Sequence, residues 1–427
     1  MEHGIFMSVQ DFVDEGTAAI LDRVTALGIR RIVLAVTYHR ARDVTPRSPG
    51  RVTTRHDGAY FPLPADLFGA GSLPVPVQTE ELSIAADLVR AAHDRGLAVD
   101  GWTVFCHNTT IGTVRQDVTQ RNCFGGYGSP ADLCPANPSV RQYAVDLARA
   151  AARLGVDTVP AESLHHGFFD HGYHHERSAV PLGELDRYLL GLCFCNYCAS
   201  AAQVHGDVDV ERARSAAAAH LDRVLAGGSP STAPLSRENL VDVAAELAGM
   251  VAPRTDLVTS LVEEVAAAVT GEGASLGYID LTGAVLGYAN GTPTGPSTPE
   301  SAWRFGIDPA AVAAHAEYLT LAYAQQPARV ATDVAAYRKV IGTSRPLRVV
   351  LRPGAPDTDD DAQLRAKAGA ATTAGADGVD FYQYGLLTER DLDRIGTVTA
   401  AARRGDEASS ALHNPMPPVL RRAALGA

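Results

Sequence analysis

Three of the chain's six cysteines, Cys193, Cys195 and Cys198, fall within six residues of the stretch LCFCNYC. A C-x-C-x-x-C run on a tight loop can turn its thiolates inward to share a metal, but three sulfurs leave a structural zinc tetrahedron open. A fourth ligand is needed, and Cys106, Cys123 and Cys134 are the remaining thiols. Reduced cysteines that merely pack, or a redox role, are the other readings of the same run.

The stretch HHGFFDHGYHHER (165–177) holds five histidines. Near neutral pH imidazole is a proton shuttle and a metal ligand, so His165, His171, His174 or His175 with Asp170 could hold a catalytic metal. The spacing follows no H-E-x-x-H pattern. Hydrogen bonding of His165 and His166 to ligand hydroxyls, or packing against the cysteine loop, accounts for the segment as well.

Just ahead of it lies Glu162, in VDTVPAESLHH. Acid–base hydrolysis needs one carboxylic acid to protonate the leaving oxygen and a second carboxylate as nucleophile or water-activating base. Glu162 suits the acid, since a cleft walled by Phe168, Phe169 and Tyr173 would raise its pKa; a buried pairing with Arg177 is the plainer reading. Asp280, at the end of GYID, is the expected base, at the wider separation of an inverting pair, or else the cap of the following turn. Asp380 and Glu176 are further carboxylate candidates. Neutral groups able to grip hydroxyls stand at His39, His107, Asn108, Tyr382 and Tyr384. Trp102 offers a platform for a sugar face or belongs to the core. Arg352 could orient Glu162, bind an acidic substrate, or pair with an aspartate of the DTDDD run (357–361).

The elements that must position these groups follow from hydrophobic period. Short β-rich runs at 4–9, 31–39, 97–108, 156–166, 274–281, 317–324, 347–354 and 378–385 alternate with amphipathic helical stretches, the signal of βα units around a parallel sheet. Helices are predicted over 11–29, with Asp11 as N-cap, and over 80–96, 139–155, 209–226, 237–269, 329–342 and 359–374. Eight strands predict a single α/β (β/α)8 TIM barrel over residues 1–405, with inserted loops after strands 2 and 4 (about 40–78 and a Cys/His-rich 165–235) and a flexible C-terminal tail at 406–427. The alternative, a doubly wound open sheet, lacks its Gly-rich phosphate loop after a strand. The chemistry-bearing residues then stand at the C-terminal ends of the strands, where barrel active sites lie.

A net charge of −12 with no Lys/Arg-rich run argues against nucleic acid and an anionic membrane surface as partners and for a small neutral ligand. The start, MEHGIFMSVQDF, has no secretory pattern, and no stretch approaches the roughly 20 apolar residues of a membrane span. The expectation is a cytoplasmic protein, in which clustered cysteines serve metals more than disulfides. The 40–78 segment is long enough to cover its own cleft or that of a neighbouring subunit in a homo-oligomer.

Three motifs in order, CPANP (134–138), AES (161–163) and CFCNYC (193–198), resemble glycoside hydrolase family 42, the barrel β-galactosidases. In that family a Cys-Pro segment ahead of a helix, a catalytic Glu at the end of strand four and a C-x-C-x-x-C loop occur in the same sequence, and four sulfurs bind zinc. The resemblance covers about 70 residues and implies a structural Zn2+ held by Cys134, Cys193, Cys195 and Cys198, with Glu162 as the acid. It departs at Ala161, where the family has Asn, and on strand seven, VVLRPG, which lacks the family's nucleophilic Glu. LCPANP, HHER and FYQYG further resemble barrel proteins related to glycoside hydrolases. These features together predict a glycosidase acting on a small glycoside or cyclitol derivative. The alternatives are a non-catalytic sugar-binding barrel and a His-metal sugar lyase or isomerase.

Overall fold

Eight runs of Val, Ile, Leu and aromatic residues form eight parallel strands: β1 (Glu2–Ser8), β2 (Arg31–Ala35), β3 (Ala98–Val104), β4 (Thr158–Glu162), β5 (Ser275–Asp280), β6 (Glu317–Leu321), β7 (Leu347–Leu351) and β8 (Gly378–Phe381). Each pairs with the strand before and after it, and β8 pairs with β1 to close the barrel. The strands read as nearly continuous apolar runs because helices cover their outer face while side chains fill the interior. The computed structural model describes residues 2–169, 178–232, 235–288, 298–323 and 325–413. Among them no helix is long and apolar enough to cross a membrane.

All eight predicted strands are present, each shorter at its C-terminal end than the sequence pattern suggests, because the chain leaves the barrel wall where the polar residues begin. The helix predicted over 11–29 is two helices, Val9–Glu15 and Thr17–Ala26. Gly16, at φ +86°, breaks it in a left-handed conformation that costs glycine little. Ser8, not Asp11, is the N-cap, and the Asp11 carboxylate accepts from the Ser8 backbone N–H at 2.7 Å. The helix predicted over 237–269 is likewise interrupted, at the extended Ala244, and resumes as Ala245–Gly249 and Val251–Gly271.

After β2, Thr37–Tyr38 pairs with Gly58–Ala59, and Ala41–Val44 pairs with Val52–Arg55. Asp57 ties this excursion to the loop after β3, accepting from the Arg40 and Thr110 backbone amides and from the Thr110 hydroxyl. After β4, helices Glu184–Gly191, Asn196–Gly206 and Val210–Leu225 gather Leu189, Leu192, Leu221, Leu240 and Met250 into an apolar cluster separate from the main core. The last helix runs Glu389–His413, past the boundary expected at 405.

At the N-terminal end of the barrel interior, Arg348 of β7 forks onto Asp380 of β8, with Nε 2.8 Å from Oδ2 and a second bond from Nη2 to Oδ1. Strand glycines make this space: a Cβ on Gly4 would meet Asp380, and one on Gly378 would meet Arg348. Asp380 is therefore a structural ion-pair partner at the floor of the barrel, not a carboxylate of its mouth.

Candidate active site

Glu162 is the last residue of β4, and the next residue, Ser163, takes a left-handed φ of +56°, which turns the chain sharply out of the wall. The carboxylate is fixed by Trp102 on the neighbouring β3, whose indole N–H donates to Oε2 at 2.7 Å. Burial raises the Glu162 carboxyl above the ordinary glutamate range, while His39 and the Trp102 hydrogen bond draw it part of the way back. A half-buried acid with raised proton affinity is suited to holding a proton for a leaving group.

Glu162 opens into a cleft of about 650 Å³ whose walls include His39, His107, Gln120, Asp132 and Phe169. His39 follows β2 and stacks on Tyr38 at 4.4 Å between centroids, and His107 meets it edge-on at 5.0 Å. Asp132, on the loop between β3 and the helix Pro138–Ala152, lies with Oδ1 3.8 Å from His107 Nδ1. His107 and Asp132 also form an isolated antiparallel bridge, which brings this loop back over the end of β3.

Beside Glu162 the mouth is lined by aromatic side chains. The Tyr38 and Tyr382 hydroxyls lie 3.1 Å apart, and the Arg352 guanidinium rests 4.1 Å from the Tyr323 ring centroid and 5.2 Å from that of Tyr382. Burial pushes Tyr382 up to about 12, so its phenol remains protonated and able to donate. Arg352 pairs with Asp357 at 3.3 Å, the partner foreseen in the DTDDD run.

Of the residues expected from sequence, the structure brings Glu162, His39 and His107 together on the cleft and sets Tyr382 and Arg352 beside them. It does not bring the others there. Asp280 is wholly buried: Tyr318 and Tyr337 each donate a phenol hydrogen bond to Oδ2 at 2.6 Å, and the Thr282 amide donates to Oδ1 at 2.9 Å. It is a buried turn cap held by two tyrosines. Asn108 caps the helix Thr109–Val114 through Ile111 N–H. The Tyr384 hydroxyl donates to Glu15 Oε2 at 2.8 Å with Arg47 stacked on the ring, so it faces the helix after β1. His165 and His166 are buried behind the cleft wall, with His165 Nδ1 2.7 Å from the His166 carbonyl oxygen. Trp102, 1% exposed, is core and a hydrogen-bond donor, not an open platform. Asp170, His171, Tyr173, His174, His175, Glu176 and Arg177 lie outside the described residues. Asp132 was missed by sequence reasoning. The signal available was its position two residues before Cys134, in the same loop that the metal motif requires to be ordered.

That loop is held at Cys134. Its Sγ lies 3.9, 3.6 and 3.5 Å from those of Cys193, Cys195 and Cys198, and all four ligand atoms fall within 4.8 Å of one another. A tetrahedral tetrathiolate with metal–sulfur bonds near 2.3 Å has sulfurs about 3.8 Å apart. The buried cluster could thus hold a metal ion, and the Arg121 amide points at Cys193 Sγ as a hydrogen-bond donor at 3.4 Å. Cys106 and Cys123 are buried elsewhere and take no part.

No family model and no curated protein sequence matches the chain. Solved structures do share its fold. A β-galactosidase from the psychrophilic Marinomonas ef1 superposes with a TM-score of 0.56 at 11% identity, over 96% of this chain and 60% of that one. The catalytic domain of a β-amylase from Paenibacillus polymyxa gives 0.55 at 11% identity, over 94% of this chain and 98% of its own length. α-L-Fucosidase isoenzyme 2 from Paenibacillus thiaminolyticus gives 0.53 at 11% identity, over 96% and 50%. The chain therefore spans 50 to 60% of the length of two of these neighbours. At such identities the likeness is one of fold.

Proposed function

We propose that this protein is a glycoside hydrolase with Glu162 as general acid. The observation that carries the reading is the Glu162 carboxyl itself: it stands at a strand end in the cleft, is oriented by Trp102, and has its proton affinity raised by burial. Trp102 engages Oε2, so Oε1 carries the proton that passes to the leaving oxygen as the bond from that oxygen to the anomeric carbon breaks. Asp132 replaces Asp280 as the partner carboxylate in this reading. It accepts a proton from water as the water oxygen bonds to the same carbon, and His107 orients it. His39, His107, Gln120 and the mouth tyrosines supply donors and acceptors to sugar hydroxyls. The glycosidase folds of the structural neighbours support the assignment to carbohydrate chemistry.

In the same proposal the four cysteines bind one structural zinc that ties the loop carrying Asp132 to the insert after β4. The metal touches no reacting atom, and its effect on catalysis is positional.

The test is release of nitrophenol from a panel of aryl glycosides by the wild type, Glu162→Gln and Asp132→Asn at matched metal content and thermal stability. Turnover in the wild type that falls about 10²–10⁴-fold in either variant, with binding retained, supports the assignment. A second reading, a non-catalytic sugar-binding barrel, draws on the strand-seven end, where Arg352 stands in place of a carboxylate. Sugar affinity without turnover in all three proteins would establish it and sink the hydrolase.

A further inference from the structure

Across the Phe168–Phe169 wall from the cleft lies a smaller cavity of about 160 Å³, enclosed by the helix Glu184–Gly191, the start of the helix Val251–Gly271 and the turn Ala302–Phe305. Its volume is close to that of an engineered cavity that accepts benzene, so it has room for a small charged group and not for an oligosaccharide.

The lining is unusual in its charge. Arg187, Arg254 and Arg304 face it with Glu184 as the single carboxylate among the described residues that line it. Arg254 is 2% exposed, and among the described residues its Nε and Nη1 have no hydrogen-bond partner, while Nη2 donates to the Arg304 carbonyl at 3.3 Å. The Arg304 Nη2 donates to the Leu235 carbonyl at 3.0 Å and lies 3.6 Å from Glu184 Oε2, while its Nε is buried without a partner. The buried Tyr188 hydroxyl is also unpartnered, with the Arg254 guanidinium 5.9 Å from its ring. Glu184 does not resolve this, because Oε2 also accepts the Leu235 amide at 3.0 Å and the side chain is 52% exposed.

Buried guanidinium N–H groups without acceptors are costly, and burial lowers the proton affinity of Arg304 accordingly. The planar fork of arginine matches the paired oxygens of carboxylate, sulfate or phosphate, and a phenol hydroxyl adds a third donor. We propose that this cavity is an oxyanion subsite that takes the carboxylate, sulfate or phosphate group of an anionic sugar whose ring lies in the neighbouring cleft. The sugar-borne half rests on the carbohydrate reading of the cleft; the oxyanion half does not.

The experiment is calorimetric titration of the full chain with sodium sulfate, glucuronate and glucose at constant ionic strength set with sodium chloride. Wild type should bind sulfate saturably, and Arg304→Gln should weaken it at least tenfold. Tyr188→Phe, a smaller change that keeps the ring packing, should weaken it severalfold. Circular dichroism and melting temperature establish that each variant is folded, and if Arg304→Gln is not, Tyr188→Phe alone decides. Glucuronate binding tighter than both glucose and sulfate, with the preference lost in the variants, assigns the anion to a sugar. Sulfate binding without preference for glucuronate over glucose overturns the sugar-borne half and leaves a free-oxyanion site. No saturable sulfate binding by the wild type, or binding that the folded variants retain, overturns the subsite itself. Glu162→Gln should keep wild-type sulfate affinity, so a failure of the hydrolase reading would show as absent turnover with this binding intact.

Discussion

Glu162 and Asp280 are both carboxylates at strand ends, and their surroundings give them opposite expectations. Burial raises the folded-state pKa of Glu162, so its contribution to stability is present below the ordinary glutamate range and lost as pH rises through the folded value. Glu162→Gln should remove that loss: the melting temperature of the variant relative to wild type should climb between acid and neutral pH, even as turnover falls. As an acid, Glu162 also predicts that activity declines on the alkaline side of its raised pKa. The Trp102 hydrogen bond lowers that pKa, so Trp102→Phe should move the alkaline limb of the rate profile to higher pH; a limb that stays put or moves down would separate the limb from Glu162. Asp280→Ala should act on stability instead. It strands two buried phenols at roughly 1–3 kcal/mol each, so a loss of about 2–6 kcal/mol is expected in denaturant unfolding, with kcat of the folded fraction little changed. A selective collapse of kcat at unchanged stability would return Asp280 to the catalytic role.

At the level of elements, the cysteine cluster joins the loop before Pro138–Ala152 to the start of Asn196–Gly206, where the Phe194 amide also donates to the Arg121 carbonyl at 2.7 Å. One zinc per chain is expected by elemental analysis, and Cys134→Ser should abolish it. Stripping the metal should lower the melting temperature and speed hydrogen exchange around 118–134 and 192–206, while a mild chelator that leaves thiolate zinc in place should spare activity. Metal-free protein with unchanged exchange there would show the cysteines to be packing groups. The excursion after β2 has its own anchor, Asp57, which holds it against the loop after β3 and so helps to wall the cleft.

The whole barrel depends on buried charge as well as apolar filling. Arg348 and Asp380 are both at most 4% exposed and are bonded to each other at the barrel floor, with Glu317 3.6 Å and Glu2 3.4 Å from the same guanidinium. Removing one partner leaves an uncompensated charge in the interior, so Arg348→Met should cost about 3–5 kcal/mol in equilibrium unfolding without altering the cleft. A cost under about 1 kcal/mol would mean that water solvates Asp380 or that it takes up a proton once Arg348 is gone.

Strand number, order of elements and the end of the barrel at which the cleft opens were legible from sequence, because apolar runs of strand length between amphipathic helices leave few arrangements that bury both. The fourth cysteine came from motif resemblance, and its sulfur stands against the other three. Glu162, His39 and His107 could be read because polar residues at strand ends mark where the chain leaves the apolar wall of the barrel. Which of those strand-end polar groups face solvent was decided only by tertiary contacts. Asp280 is enclosed by phenols 38 and 57 residues further along the chain, and Asp132 reaches the cleft because a loop folds back on His107. The Arg254 and Arg304 N–H groups left without acceptors depend on three elements meeting around Arg254. Local pattern determines which way a side chain leaves its strand or helix, whereas hydrogen bonding and burial depend on neighbours brought from elsewhere in the chain.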